Sequence, residues 1–224
     1  MYPPQDNAER HGKMMKLKKQ LSTGIGYAKY VIFHPFKGIW DLKAEKIGNL
    51  PTAFVFIAAL ILVNILRRQM TGYILNMNII KELNIFTEIS MVVVPFLLWC
   101  ISNWSITTLM DGEGSFQDIF ITTAYALVPI IILNIPMLII SNIITIEEAP
   151  FYTLLDSFSI IWFVFILVIG IMTIHQFSFS KTLGTILIAV VGMLIIVCLA
   201  MLFFALIQQI VNFIWLVYNE VSLR

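Results

Sequence analysis

Five apolar runs, at about residues 51–67, 89–109, 119–143, 157–175 and 184–207, dominate this 224-residue chain, and none carries an Asp, Glu, Lys or Arg in its middle. About 20 apolar residues in helical form cross the ~30 Å hydrocarbon core of a bilayer. In lipid every backbone N–H and C=O must find its partner inside the protein, which a helix does within its own segment. The runs therefore predict five transmembrane helices, and the chain an all-α polytopic integral membrane protein. Composition agrees: with 59% hydrophobic and 12% charged residues, there is too little polar surface to wrap so apolar a core in water.

Net charge is only +1, but residues 1–49 hold nine of the fourteen Lys and Arg. Residues 1–26 are predicted to be a basic, flexible cytosolic arm, and a basic segment beside a membrane fits the anionic leaflet better than it fits nucleic acid. With the N-terminus inside, ten basic residues flank the spans on the cytosolic side. Arg67, Arg68, Lys81 and Arg224 are the four on the other. The positive-inside rule then places the N-terminus in the cytosol and the C-terminus outside. Arg67 and Arg68, ending the first span, are expected to snorkel to the interface. Cys100 and Cys198 lie inside apolar runs and read as inert thiols.

Ahead of the first span, Pro35 suits the first turn of a helix. Helical geometry over 35–47 puts Phe36, Ile39, Trp40 and Ile47 on one face and Lys37, Asp41, Glu45 and Lys46 on most of the other. That is the pattern of an interfacial amphipathic helix anchored by its aromatic residues. The tail 208–224 alternates apolar and polar residues around Trp215 and Tyr218, and is expected to be interfacial as well.

The second and third spans and the turn between them are the most specific part of the chain. Gly112 and Gly114 permit a tight reversal. Ser115 is placed to cap the third helix, with Asp118 three residues on as a capping-box partner. Pro129 and Pro136 lack an N–H, which frees the carbonyls of Tyr125 and Ile132 inside lipid. Asn103 and Thr107, one helical turn apart in the second span, are the expected donors to them. A kinked, hydrogen-bonded pair of spans follows. In the fifth span, Ala189 with Gly192, and Ala200 with Ala205, form a small-residue pattern that suits close helix packing.

Chemistry is sparse. His11, His34 and His175 have no metal-ligand spacing, and His175 is expected to face the headgroups. The chain has no phosphate loop, no HExxH and no GxSxG. Asp111 and Glu113 suit a solvated turn. No catalytic residue, metal ligand or cofactor is indicated.

Two phrases carry a family resemblance. FHPFKGIWDLKAEKIGNLP, through His34, Pro35, Trp40, Asp41, Lys43, Glu45, Lys46 and Gly48, resembles the pre-membrane segment of the YIP family, bacterial branch. DGEGSFQDIFITTAYALVP, through Gly112, Gly114, Ser115, Phe116, Tyr125, Ala126 and Pro129, resembles that branch's segment entering the third span. The family comprises relatives of the Ypt/Rab-GTPase-interacting membrane proteins. Membership implies a YIP-like membrane domain over 27–207, five helices, a cytosolic N-terminus and a non-enzymatic role. The eukaryotic DLYGP phrase is missing, so a Rab GTPase partner is not inferred.

The expectation is a membrane scaffold or adaptor, accessory to a larger complex or shaping the bilayer, in a bacterial plasma membrane. Its partners would be lipid and another membrane protein or itself. The candidate surface is Trp40, Asp41, Lys43, Asn103, Thr107, Gly112, Gly114, Ser115, Phe116, Tyr125, Pro129 and Pro136. The alternative is a small-solute permease or permease subunit lined by Asn103, Thr107, Tyr125 and Asn134.

Overall fold

The computed structural model describes residues 5–73, 75 and 84–222, with the side chains of all these except 5–13, 16 and 19. Lys81 and Arg224 lie outside the described residues, as do residues 1–4. All regular structure among the described residues is helical: α1 (Gln5–Phe33), α2 (Pro35–Ala44), α3 (Leu50–Met70), α4 (Ile85–Leu109), α5 (Phe116–Ala126), α6 (Val128–Ile140), α7 (Ala149–His175, entered by a short 3₁₀ turn Ile146–Glu148) and α8 (Phe179–Ser222). Among the described residues, five segments are long and apolar enough to cross a membrane: Leu50–Met70, Ile85–Leu109, Phe116–Ile140, Ile146–His175 and Phe179–Ser222. The all-α, five-span architecture is the one expected.

The third span is central. Every residue from Ile119 to Ala126 is buried, and α3, α4 and α7 pack around α5. Its start is set by the expected capping box. The Asp118 N–H donates to Ser115 Oγ at 3.2 Å and the Ser115 N–H to Asp118 Oδ2 at 2.9 Å, which satisfies two orphan donors reciprocally. The span then breaks at Leu127, two residues before Pro129, and resumes as α6. Pro136 lies inside α6 without ending it. Between helices in lipid, apolar burial supplies little net drive, so close van der Waals packing holds the bundle.

The basic arm is helical over its described residues. Residues Gln5–Phe33 form one helix, with Gly24, Ala28 and Val31 buried at spacings of four and three on the face toward the bundle. In sequence, Gly24 and Gly26 look like interruptions. In the structure, a Cβ at Gly24 would fall well inside contact distance of Thr52 Oγ1, so this glycine lets α1 cross α3 closely. The Tyr125 hydroxyl, from the third span, donates to Gly24 O at 3.2 Å.

At His34 the chain turns back, and α2 returns antiparallel along α1. The Tyr27 hydroxyl donates to Asp41 Oδ2 at 2.6 Å across this hairpin. Burial, reinforced by the Asp41 carboxylate, pushes the Tyr27 phenol pKa up. The face of α2 turned to the bundle is Gly38, Ile39 and Leu42, whereas Phe36 and Trp40 point outward at 55% and 48% exposure. Ile39 thus separates from the two aromatics grouped with it in the sequence.

The C-terminal tail is not a separate element. Helix α8 runs unbroken through Gln208 to Ser222, because glutamines are good helix formers and their polarity does not stop a helix.

Candidate functional site

At the end of the bundle where α3 and α5 begin, the α4–α5 turn meets the C-terminus of α7. His175, the last residue of α7, is 1% exposed and does not face the headgroups. Its Nδ1 accepts the Gly114 N–H at 3.1 Å, and its ring stacks on Phe177 with centroids 5.4 Å apart. A backbone N–H can only donate, so Nδ1 is unprotonated and the ring proton sits on Nε2. The two glycines of the turn have a role other than reversal. Neither adopts positive φ; the left-handed residue is Asp111, at φ 57°. Instead, a Cβ at Gly114 would lie 2.7 Å from His175 Cε1, and one at Gly112 would collide with Nδ1. The glycines make room for the imidazole.

Two lysines complete this end. Lys43, from α2, donates to Ile174 O at 2.7 Å and lies 3.8 Å from Glu113 Oε2. Lys181, near the start of α8, donates to Met110 O at 2.8 Å and stands 4.0 Å above the Phe177 ring. Both satisfy carbonyls that a helix C-terminus leaves orphaned, where a cation also favours the helix dipole. Between α2 and the start of α5 lies a polar recess of about 230 Å³ with Lys43, Lys46, Gly48, Ser115, Gln117 and Asp118 in its wall.

The family model of the Yip1 domain matches residues 29–202. The chain belongs to the Yip1 family. No curated protein and no solved structure matches it. The matched region of this Yip1 protein begins inside α1 and ends inside α8, so it takes in the α1–α2 hairpin's returning arm and the α4–α5 turn alike.

Within the Yip1 domain the remaining candidate residues divide. Phe116 meets Trp104 edge-on at 6.0 Å, and Tyr125 meets Phe56 edge-on at 5.0 Å. Pro129 lines an apolar recess of about 500 Å³ with Phe33, Ile132 and Trp162. Asn103 and Thr107 do not supply donors to the broken third span. Thr107 Oγ1 bonds back to Asn103 O at 2.8 Å in its own helix, the usual local alternative for a threonine. The Asn103 and Asn134 side-chain amides are buried without a hydrogen-bond partner among the described residues. In the same half of α4, Ser102 does reach another span: its Oγ donates to Ala189 O of α8 at 2.6 Å. Gly192, one turn further on, leaves space for that hydroxyl. The Ala189–Gly192 pattern marks this crossing, whereas Ala200 and Ala205 are exposed.

At the opposite end of the bundle, Arg67 and Arg68 are paired and do not simply snorkel. Arg67 Nη1 lies 3.0 Å from Asp156 Oδ1 on α7, and Arg68 pairs with Glu88 in the first turn of α4. Nothing in the sequence spacing shows either partnership. The one signal is that each arginine has a carboxylate at the same end of a neighbouring span.

Proposed function

We propose that this Yip1 protein is a non-enzymatic membrane scaffold or adaptor, accessory to a larger membrane complex, with α8 as the arm that engages the partner. One observation carries the reading: from Val197 to Ser222 every residue of α8 is exposed. The helix has 44 residues, so it is about 66 Å long. Even at the steep tilt of ~40° it spans about 50 Å, against ~30 Å of hydrocarbon. Apolar residues beyond Ile207, among them Phe213, Ile214 and Leu216, then leave the hydrocarbon unless something covers them. Another membrane protein or a second copy of this chain would do so. The nine basic residues of 1–49, together with Lys181, support a plasma-membrane orientation with the α1–α2 end cytosolic and the C-terminus outside.

Photocrosslinkers at Phe204 and Ile214 in native membranes test this. Adducts with a membrane protein, or with the chain itself, are expected. Absence of adducts at both positions, and from the 110–118 turn, overturns the reading.

The buried, unpartnered Asn103 and Asn134 amides favour a second reading, a permease for small neutral solutes. Neither residue lines any of the recesses described above. Uptake into proteoliposomes that Asn103→Leu abolishes would support it, and no flux for neutral solutes ends it.

A further inference from the structure

The Arg67–Asp156 and Arg68–Glu88 pairs fasten α3 to α7 and α3 to α4. Among the described residues, α4 and α7 are not among the closely packed helix pairs. The gap between them is open to a polar pocket of about 320 Å³, in whose wall stand Arg67, Arg68, Glu88 and Tyr152. Deeper toward the bundle centre is an apolar cleft, also of about 320 Å³, walled by Leu60, Val92, Phe96, Trp99 and Leu167. Asn64 and Met91 line both, so the polar mouth continues into the apolar shaft. Met91 stands at that junction, 62% exposed.

We infer that this cleft binds one phospholipid with an anionic headgroup, its phosphate against the guanidinium groups and an acyl chain down the shaft. A polar site directly above an apolar one matches an amphiphile and neither a free anion nor a hydrocarbon. A guanidinium carries five N–H donors in a planar fork, and a single carboxylate oxygen occupies few of them, so a phosphate can share Arg67 with Asp156. Arg67 is balanced by Asp156 and Arg68 by Glu88, so the cluster is neutral as a whole, and what draws a phosphate is the set of Arg67 N–H donors that the single Asp156 oxygen does not take. The shaft ends on Thr123 and Leu127, beside the break between α5 and α6. An occupying chain therefore rests on the interrupted part of the third span and fills space that α4 and α7 leave open.

Native mass spectrometry of the full chain, purified in detergent with phosphatidylglycerol and phosphatidylcholine supplied equally, tests this. One retained phosphatidylglycerol per chain is expected, preferred about tenfold. Val92→Trp fills the shaft and is expected to lower retention at least tenfold. Met91→Trp, at the exposed mouth, does the same without disturbing the interior, so a Val92 variant that fails to fold does not decide the matter. Arg67→Gln is expected to abolish the headgroup preference while some lipid is still carried. Excess inorganic phosphate should not displace the lipid. The inference is overturned by a wild-type chain with no retained phosphatidylglycerol, by equal retention in Met91→Trp, by an unchanged preference in Arg67→Gln, or by displacement with phosphate.

Discussion

His175 Nδ1 accepts the Gly114 N–H at 3.1 Å across a separation of 61 residues. The last residue of α7 thereby fixes the turn between α4 and α5. A buried imidazole packed on two glycines is a steric lock, and its consequence can be measured.

Gly114→Ala should destabilise the fold by about 1–3 kcal/mol, the usual effect of overpacking a filled site. The backbone at Gly114 is not left-handed, so alanine is tolerated there and only the clash with the imidazole is tested. His175→Ala in the same chain should recover part of the loss. Thermal unfolding of the single and double variants in detergent checks this; a Gly114→Ala chain as stable as wild type would contradict the packing.

The α1 helix depends on a similarly close approach. Gly24→Leu should push α1 away from Thr52 and expose Ala28, which is 4% exposed in the fold. A thiol introduced as Ala28→Cys should resist maleimide in the parent and label readily with Gly24→Leu added. Tyr125→Phe, which removes the hydroxyl and with it the bond to Gly24 O, should lower stability by about 1 kcal/mol and leave labelling nearly unchanged.

These two sites show where the sequence is legible. Apolar length and missing intramembrane charge give the five spans, because lipid imposes that pattern on any helix that crosses it. The Ser115–Asp118 box and the Pro129 break are legible because capping and the lost N–H act within a few residues. Gly24, Gly112 and Gly114 stand out in sequence, but as flexible positions, whereas the structure uses them for close approach. What a missing Cβ makes room for, here Thr52 and His175, lies 28 to 63 residues away in the chain. Separation in the chain also hides the partners of Arg67 and Arg68, which lie on other helices. The α1 helix is illegible for a related reason: its buried stripe is Gly, Ala and Val, too short and too small to stand out from a basic, polar background.

At the other end of the bundle, Arg68→Gln should destabilise by about 3 kcal/mol, since it leaves a carboxylate that is 7% exposed without its guanidinium. The low end of the range for a broken buried pair applies because the Arg68 side chain is 23% exposed. Arg68→Gln with Glu88→Gln removes both charges and should be more stable than Arg68→Gln alone. A double-mutant cycle measured by chemical unfolding gives the coupling, and strict additivity would mean that the two residues do not interact.

Gly192→Leu should part α8 from α4. The two helices approach where Ser102 Oγ reaches Ala189 O, and the side-chain hydrogen at Gly192 is all that the neighbouring hydroxyl allows. Ser102→Ala removes the interhelical bond but keeps the close approach, at a cost of about 0.6 kcal/mol, the average for such bonds in membrane bundles. Leucine at 192 instead forces the backbones apart, which strips α8 of most of its packing, since few of its residues are buried at all: Thr182, Thr185 and Ala189. A disulfide engineered between α4 and α8 as Ser102→Cys with Ala189→Cys should form readily in the parent and fail once Gly192→Leu is added. Equal yields would show that α8 is held to the bundle by something other than this crossing.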